Sequence, residues 1–320
     1  MVATLNWATL HASMPPHRLR GKERKGIPMD FTRRQVLKLG TVGGMGLFLA
    51  ACGGSSDGGD AAAPEAEATG DVKELTFEPG KLTVATGNPA WEPWVMNDDP
   101  ESGEGFEAAV IYALAEKMGF AKEDVVWTRT EFDEAFAPGQ HDWDLNIQQV
   151  SINEDRKKAI DFSPAYFRPT QAVIVKKDSK YASATSCAEL KDAVFAVMMG
   201  TTAIDYVKDI IKGGSDEGID IFNNNSDAVA AVDNGQADCL VTDTPQCVYM
   251  VESEQLKDGV VMGQIPGTED PDGLGITLAK DSPLTPFVTD AMNAILDDGT
   301  VDGLIEQWLA SYTTDIPTLA

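Results

Sequence analysis

The chain has 320 residues, with 51 acidic and 25 basic side chains and a formal net charge of −26. So large an acidic surplus argues against nucleic-acid binding and against adsorption onto anionic lipid, since both need a basic face. The length leaves room for two compact domains with their own cores.

Residues 1–51 read as a targeting segment rather than a fold. Thr32-Arg33-Arg34-Gln35-Val36-Leu37-Lys38 sets an arginine pair ahead of an uncharged run from Leu39 to Ala51, which ends at Leu49-Ala50-Ala51-Cys52. A basic region, a short apolar region and small residues before a processing point are the layout of a secretory signal. The run is shorter than the ~20 apolar residues that a membrane-spanning helix needs. Its first part is similar to a twin-arginine signal, and Leu-Ala-Ala-Cys is similar to a lipobox. Together they imply export, cleavage before Cys52 and lipidation of that cysteine. An ordinary signal with a chance cysteine is the alternative. Met29, just ahead of Thr32, reads as the translation start; a long leader from Met1 is the other reading. Removing residues 1–51, which hold eight basic and two acidic side chains, brings the net charge from −26 to about −32.

Residues 52–77 read as a flexible tether. Gly, Ser, Asp, Ala, Pro and Glu dominate its first twenty positions, and such a stretch cannot bury enough apolar surface to offset chain entropy. A tether of ~20 residues reaches roughly 25 Å.

From Leu82 onward strands and helices alternate. Leu82–Thr86 is a β-type run, and the apolar spacing of Phe106, Ala109, Val110, Ala113 and Leu114 predicts a helix stopped by Gly119. Val125–Trp127, Asp144–Ile147, Gln171–Val175 and Val194–Val197 read as strands. Ala203–Lys212 is helical and ends at Gly213-Gly214. Ile219–Phe222, Ser226–Asn234 and Cys239–Thr242 repeat a strand–helix–strand cadence. Two helices close the chain, Phe287–Leu296 and Val301–Leu309, the latter with one apolar face of Val301, Leu304, Ile305, Trp308 and Leu309. This alternation predicts an α/β fold with mostly parallel sheets, whose ligands bind beyond the carboxyl ends of the strands. Gly139–Asp144 and Asn234–Asp238 are similar lead-ins to strands that end in polar residues, which suggests two lobes facing one crevice. Of four cysteines, Cys187, Cys239 and Cys247 remain beside Cys52. An odd remainder argues against a disulfide framework; Cys239 and Cys247 could pair in an oxidising compartment, but small buried residues are the favoured role.

Three segments carry a family resemblance: Leu82–Trp94 with Gly105-Phe106-Glu107-Ala108-Ala109; Val150 to Ser163; and Gly200-Thr201-Thr202 with Asn234-Gly235-Gln236-Ala237-Asp238 and Thr242-Asp243. In order and spacing, from about Leu82 to Trp308, they resemble the polar amino-acid type of ABC substrate-binding protein, solute-binding family 3. The resemblance implies a type II periplasmic-binding-protein-like fold of two lobes, each a mixed, mostly parallel sheet, joined by a two-segment hinge. Lobe 1 would be residues 78–167 and 273–314, and lobe 2 residues 168–272. Crossovers near Phe167-Arg168-Pro169 and near Gly267 to Gly273 would form the hinge.

The resemblance also implies site residues. Arg156 matches the arginine that clamps a ligand carboxylate, a task suited to a planar, permanently charged fork. A surface arginine beside Glu154 and Asp155 is the plainer reading. Asp243 matches the carboxylate that receives the ligand ammonium, against a plain helix cap for Thr244 onward. Ser151 would bond the ligand from lobe 1. Thr201 and Thr202, at a helix start, can present hydroxyls and N–H groups to an anion. Trp91 and Phe132 fall where aromatics flank the ligand side chain, with core packing as the alternative. Asn88 stands where members selecting cationic side chains often carry an acid, which disfavours a lysine- or arginine-type ligand. Gln149 stands where a smaller hydroxyl residue is common. With Asn146 and Gln148 it suggests amide readout of a polar substrate.

The expected function is capture of a small solute, an amino acid, in the interlobe cleft and delivery to an ABC permease. The expected setting is outside the cytoplasm on a lipid anchor, as a monomer, with no cofactor and no metal. A dehydratase-like enzyme of the same fold and a ligand-sensing domain are the alternatives. No histidine stands in the segments placed at the ligand: His11 and His17 are in the leader, and His141 precedes a strand.

Overall fold

The structure is a computed structural model that describes residues 70–270 and 272–320. The targeting segment, Cys52 and the tether up to residue 69 lie outside the described residues. Two five-stranded sheets organise the rest.

The first sheet contains β1 (Leu82–Gly87), β2 (Val125–Thr130), β3 (Leu145–Asn146), β4 (Ile160–Phe162) and β10 (Thr277–Ala279), in the order β2-β1-β3-β10-β4. β1 runs parallel to β2 and β3, while β10 is antiparallel to β3 and β4. Every side chain from Leu82 to Thr86 is buried, as expected of a strand with both faces covered. Helix α1 (Phe106–Lys117) covers the sheet with α6 (Thr285–Asp297) and α7 (Thr300–Trp308). In α6 the buried residues are Val288, Ala291, Met292 and Ile295, a spacing that puts them on one helical face. The short α2 (Glu154–Ala159) precedes β4.

The second sheet contains β5 (Gln171–Lys176), β6 (Phe195–Met198), β7 (Ile219–Phe222), β8 (Cys239–Asp243) and β9 (Gly259–Gln264), in the order β7-β6-β8-β5-β9. β6 is parallel to β7 and β8, and β5 is antiparallel to β8 and β9. The period of two is visible in its cores. Val173, Val175, Phe195, Val197, Cys239 and Val241 pack on one face, and Ala172, Ile174, Ala196 and Leu240 on the other. The helices are α3 (Ala203–Tyr206, continued by a π turn over Val207–Ile211), α4 (Asn225–Asp233) and α5 (Thr244–Glu252). Cys187, Cys239 and Cys247 are free and buried. Cys239 and Cys247 belong to the clusters on opposite faces of the sheet.

Between β4 and β5, and again between β9 and β10, the chain passes from one sheet to the other. The two passages pair: the Leu274 N–H donates to the Phe167 carbonyl at 2.8 Å and the Tyr166 N–H to the Leu274 carbonyl at 2.9 Å. Gly273 is required here. It has φ of +76°, and a Cβ would lie 2.6 Å from the Phe167 carbonyl oxygen.

Two differences from the sequence reading concern the edges. Part of residues 70–77, assigned to the tether, packs against the fold. Val72–Glu74 form a 3₁₀ turn, Val72 and Leu75 pack on the first core, and the Phe77 N–H donates to Asp144 at 2.6 Å. The run Asp71-Val72-Lys73-Glu74-Leu75 is too short to show a period, so only tertiary contact reveals it. At the other end, residues 315–320 were placed in neither lobe. After α8 (Ala310–Thr313) they cross to the second sheet, where Leu319 joins its core and Thr318 bridges Gln264.

Candidate ligand-binding site

Between the sheets lies a cleft of about 940 Å³, its open mouth included. It is built from the segments that follow the carboxyl ends of parallel strands, where backbone pairing stops and side chains turn inward. β1 leads to Asn88–Trp91, β2 to Glu131 and Phe132, β3 to Gln148, Gln149 and Ser151, β6 to Thr201 and Thr202, and β7 to Asn223–Asn225; Asp243 ends β8. All nine residues expected at a ligand line it: Asn88, Trp91, Phe132, Gln149, Ser151, Arg156, Thr201, Thr202 and Asp243.

Arg156 is placed by α2. Asn153 caps that helix, its side-chain oxygen accepting from the Arg156 N–H at 2.8 Å. The guanidinium then donates to the Ser151 carbonyl and, across the cleft, to the Gly200 carbonyl, each at 2.7 Å. The Phe136 ring lies 4.4 Å and the Phe132 ring 5.9 Å from its central carbon, a favourable arrangement for a cation on aromatic faces. Burial lowers its pKa to about 10, with the charge of Asp270 opposing, so it stays charged at neutral pH. Two of its five N–H donors are used, leaving three for an anion.

Asp243 sits at the opposite wall. Its expected competing role, a side-chain cap for α5, is absent. Instead it accepts from the side-chain amide of Gln171, its register partner across β5 and β8. Burial raises its pKa to about 7, aided by the charges of Glu107 and Asp270. The cleft thus offers a fixed cation on one side and, on the other, a carboxylate that has no cationic partner among the described residues.

Of the β3 segment expected to offer amides, Gln148 and Gln149 line the cleft, and several of the segment's amide N–H groups bond within the protein. Asn146 is fully buried and donates to the Thr130 hydroxyl at 2.9 Å; Gln148 donates to Thr130 and to Asn146, both at 3.0 Å. The Gln149 side chain donates to Glu107. These N–H groups bond within the protein, as buried polar groups generally do. Thr201 likewise donates to the Met198 carbonyl at 2.8 Å, and Thr202 precedes a regular α3 of only four residues. Ser151 contributes its carbonyl to Arg156. His141 stacks on Trp143 and does not line the cleft.

Several lining residues escape sequence reasoning. Glu107 is fully buried and accepts from the Tyr166 hydroxyl, the Gln149 N–H at 2.9 Å and the Gln149 amide. Burial raises it to about 7. An acid in the first turn of a helix reads as a dipole-favoured surface residue, and only the quoted Gly105-Phe106-Glu107 segment hinted otherwise. Trp94, buried in the first core, donates through Nε1 to Oε1 of Gln246 in α5 at 3.1 Å. Gln171, Gln246 and the Asn223–Asn225 run carried no signal beyond polarity.

A two-sheet α/β fold with mixed sheets and a cleft at the strand ends is that of type II periplasmic binding proteins. The profile of "Bacterial extracellular solute-binding proteins, family 3" matches residues 82–311, and the chain belongs to that family. It is 28% identical over 266 residues to a "Probable histidine-binding protein" of Neisseria gonorrhoeae, covering 82% of this chain and 91% of that one. It is 25% identical over 269 residues to the "ABC transporter glutamine-binding protein GlnH" of Bacillus subtilis, covering 82% and 92%. Among solved structures it resembles "An ancestral arginine-binding protein bound to arginine", with a TM-score of 0.60 and 30% identity over 72% of this chain and 99% of that one. Its role is solute binding.

Proposed function

We propose that the chain is an extracytoplasmic lipoprotein that captures an amino acid in this cleft and hands it to an ABC permease. The observation that carries the reading is the placement of Arg156, on α2 beside the first sheet, and Asp243, at the end of β8 in the second, around one cleft. A zwitterion has the same two charges in complementary order, and closing the lobes on it joins them. Relatives named for histidine, glutamine and arginine support the ligand class. They are named as binding proteins, and we infer that ligand is held here without being converted. Charge-assisted hydrogen bonds contribute roughly 1.5–3 kcal/mol each. A few of them, less the cost of closure, support micromolar affinity, about −8 kcal/mol.

Thermal unfolding of the purified chain against the twenty standard amino acids tests the reading. Ligand at ~100 times Kd stabilises the folded state by roughly 2.7 kcal/mol. A shift with at least one amino acid, lost in Arg156→Ala, is expected; no shift with any of them overturns the reading. The anchor is tested separately. Cys52→Ala should move the protein from the membrane fraction to the soluble one, and continued membrane retention would refute lipidation there.

A further inference from the structure

Gln171 lies at the start of β5, is 5% exposed and lines the cleft. Its side-chain nitrogen donates to Asp243, which fixes the amide orientation, because a flipped amide would set its oxygen against the carboxylate. The other end of the amide, Oε1, is buried and finds no partner among the described residues. Buried acceptors are seldom left so. Both ends of an amide are bonded to one carbon, at ~1.23 and ~1.33 Å. The unpartnered oxygen is therefore held within a few ångströms of the carboxylate that its own nitrogen touches, and one small cation can meet both. Nearby Glu107 is not available for that role in the same way, since Tyr166 and Gln149 already donate to it three times.

We infer that Gln171 is a second acceptor for the ligand ammonium beside Asp243, and that the cleft thereby selects a primary ammonium over N-methylated amines. This rests on the amino-acid reading of the site. A primary ammonium carries three N–H donors and can serve two adjacent acceptors while keeping a third donor for the opposite wall. Each N-methyl group removes a donor and adds bulk between two fixed oxygens. The exclusion falls on N-methyl amino acids and, most strongly, on betaines.

Calorimetry on the full chain tests this. The probe is whichever standard L-amino acid binds most tightly, measured beside its Nα-methyl derivative. The wild type should prefer the primary amine at least 30-fold. Gln171→Met, which keeps length and removes both polar ends, should weaken the primary amine about tenfold and bring the ratio below about five. Gln171→Asn, which keeps both ends of the amide on a chain one methylene shorter, should keep the ratio above that of the Met variant. Melting curves establish that each variant is folded; if the Met variant is not, the Asn variant and the wild-type ratio still decide. A loss that is equal for both probes would mean a purely structural role and overturn the inference, as would a wild-type ratio near one. Binding by none of the twenty amino acids would overturn this inference together with the proposed function.

Discussion

The Arg156 guanidinium spans the cleft, donating at 2.7 Å to the Ser151 carbonyl on its own side and at 2.7 Å to the Gly200 carbonyl on the other. The side chain proposed to clamp the ligand carboxylate therefore also bonds to both sides of the cleft. Arg156→Ala should weaken amino-acid binding roughly 100-fold, the equivalent of about 3 kcal/mol for two charge-assisted bonds. Arg156→Lys keeps the charge but not the fork and should fall between the two. Calorimetry reads both. A lysine variant as tight as wild type would mean that charge alone matters.

Ligand affinity should depend on pH. Burial raises both Asp243 and Glu107 to about 7. An unfolded chain releases these protons near pH 4. Their protonation thus favours the folded protein below about pH 4, and that contribution is lost as pH rises to about 7. Binding an ammonium requires Asp243 to be ionised, so amino-acid affinity should rise by roughly tenfold or more from pH 5.5 to pH 8. Asp243→Asn should be weak and flat over the same range. A flat wild-type profile would contradict the ammonium assignment.

The alternation of strands and helices was legible because both sheets use continuous apolar strands and the helices keep one apolar face. The cleft residues were legible for a different reason. Arg156, Thr201, Thr202 and Asp243 lie in segments with a recognisable order and spacing, and strand ends mark where a crevice must lie. What stayed hidden depends on long-range partners. Glu107 looks like a surface acid until Tyr166 and Gln149 close over it. Gln171 looks like an ordinary strand residue until Asp243 meets it across 72 positions. The tail after α8 has no pattern of its own.

That tail adds a third passage between the sheets. The Gln264 N–H donates to the Pro317 carbonyl at 2.7 Å, the Leu319 N–H to the Gln264 carbonyl at 2.9 Å, and the Cys187 N–H to the Ala320 carbonyl at 3.0 Å. Leu319 is 4% exposed. Leu319→Ala should cost about 2–3 kcal/mol of stability and lower the melting temperature by roughly 4–10 °C, while a bound amino acid still stabilises the variant. An unchanged melting temperature would mean that the tail does not hold in solution.

Charge makes a separate prediction. With a net charge of −26 and exposed ion pairs such as Lys158–Asp155 contributing little, self-repulsion should dominate surface electrostatics. Raising salt from 0.01 to 1 M shortens the screening length from ~30 to ~3 Å. The melting temperature should rise by several degrees over that range, and a fall would contradict it.

A crystal structure of the protein with its tightest-binding amino acid tests the arrangement most directly. The ligand carboxylate should lie within hydrogen-bond distance of the Arg156 guanidinium and its ammonium within hydrogen-bond distance of Asp243, with both lobes in contact. A ligand seated with its carboxylate away from Arg156, or bound to one lobe alone, would refute the two-lobed capture of a zwitterion.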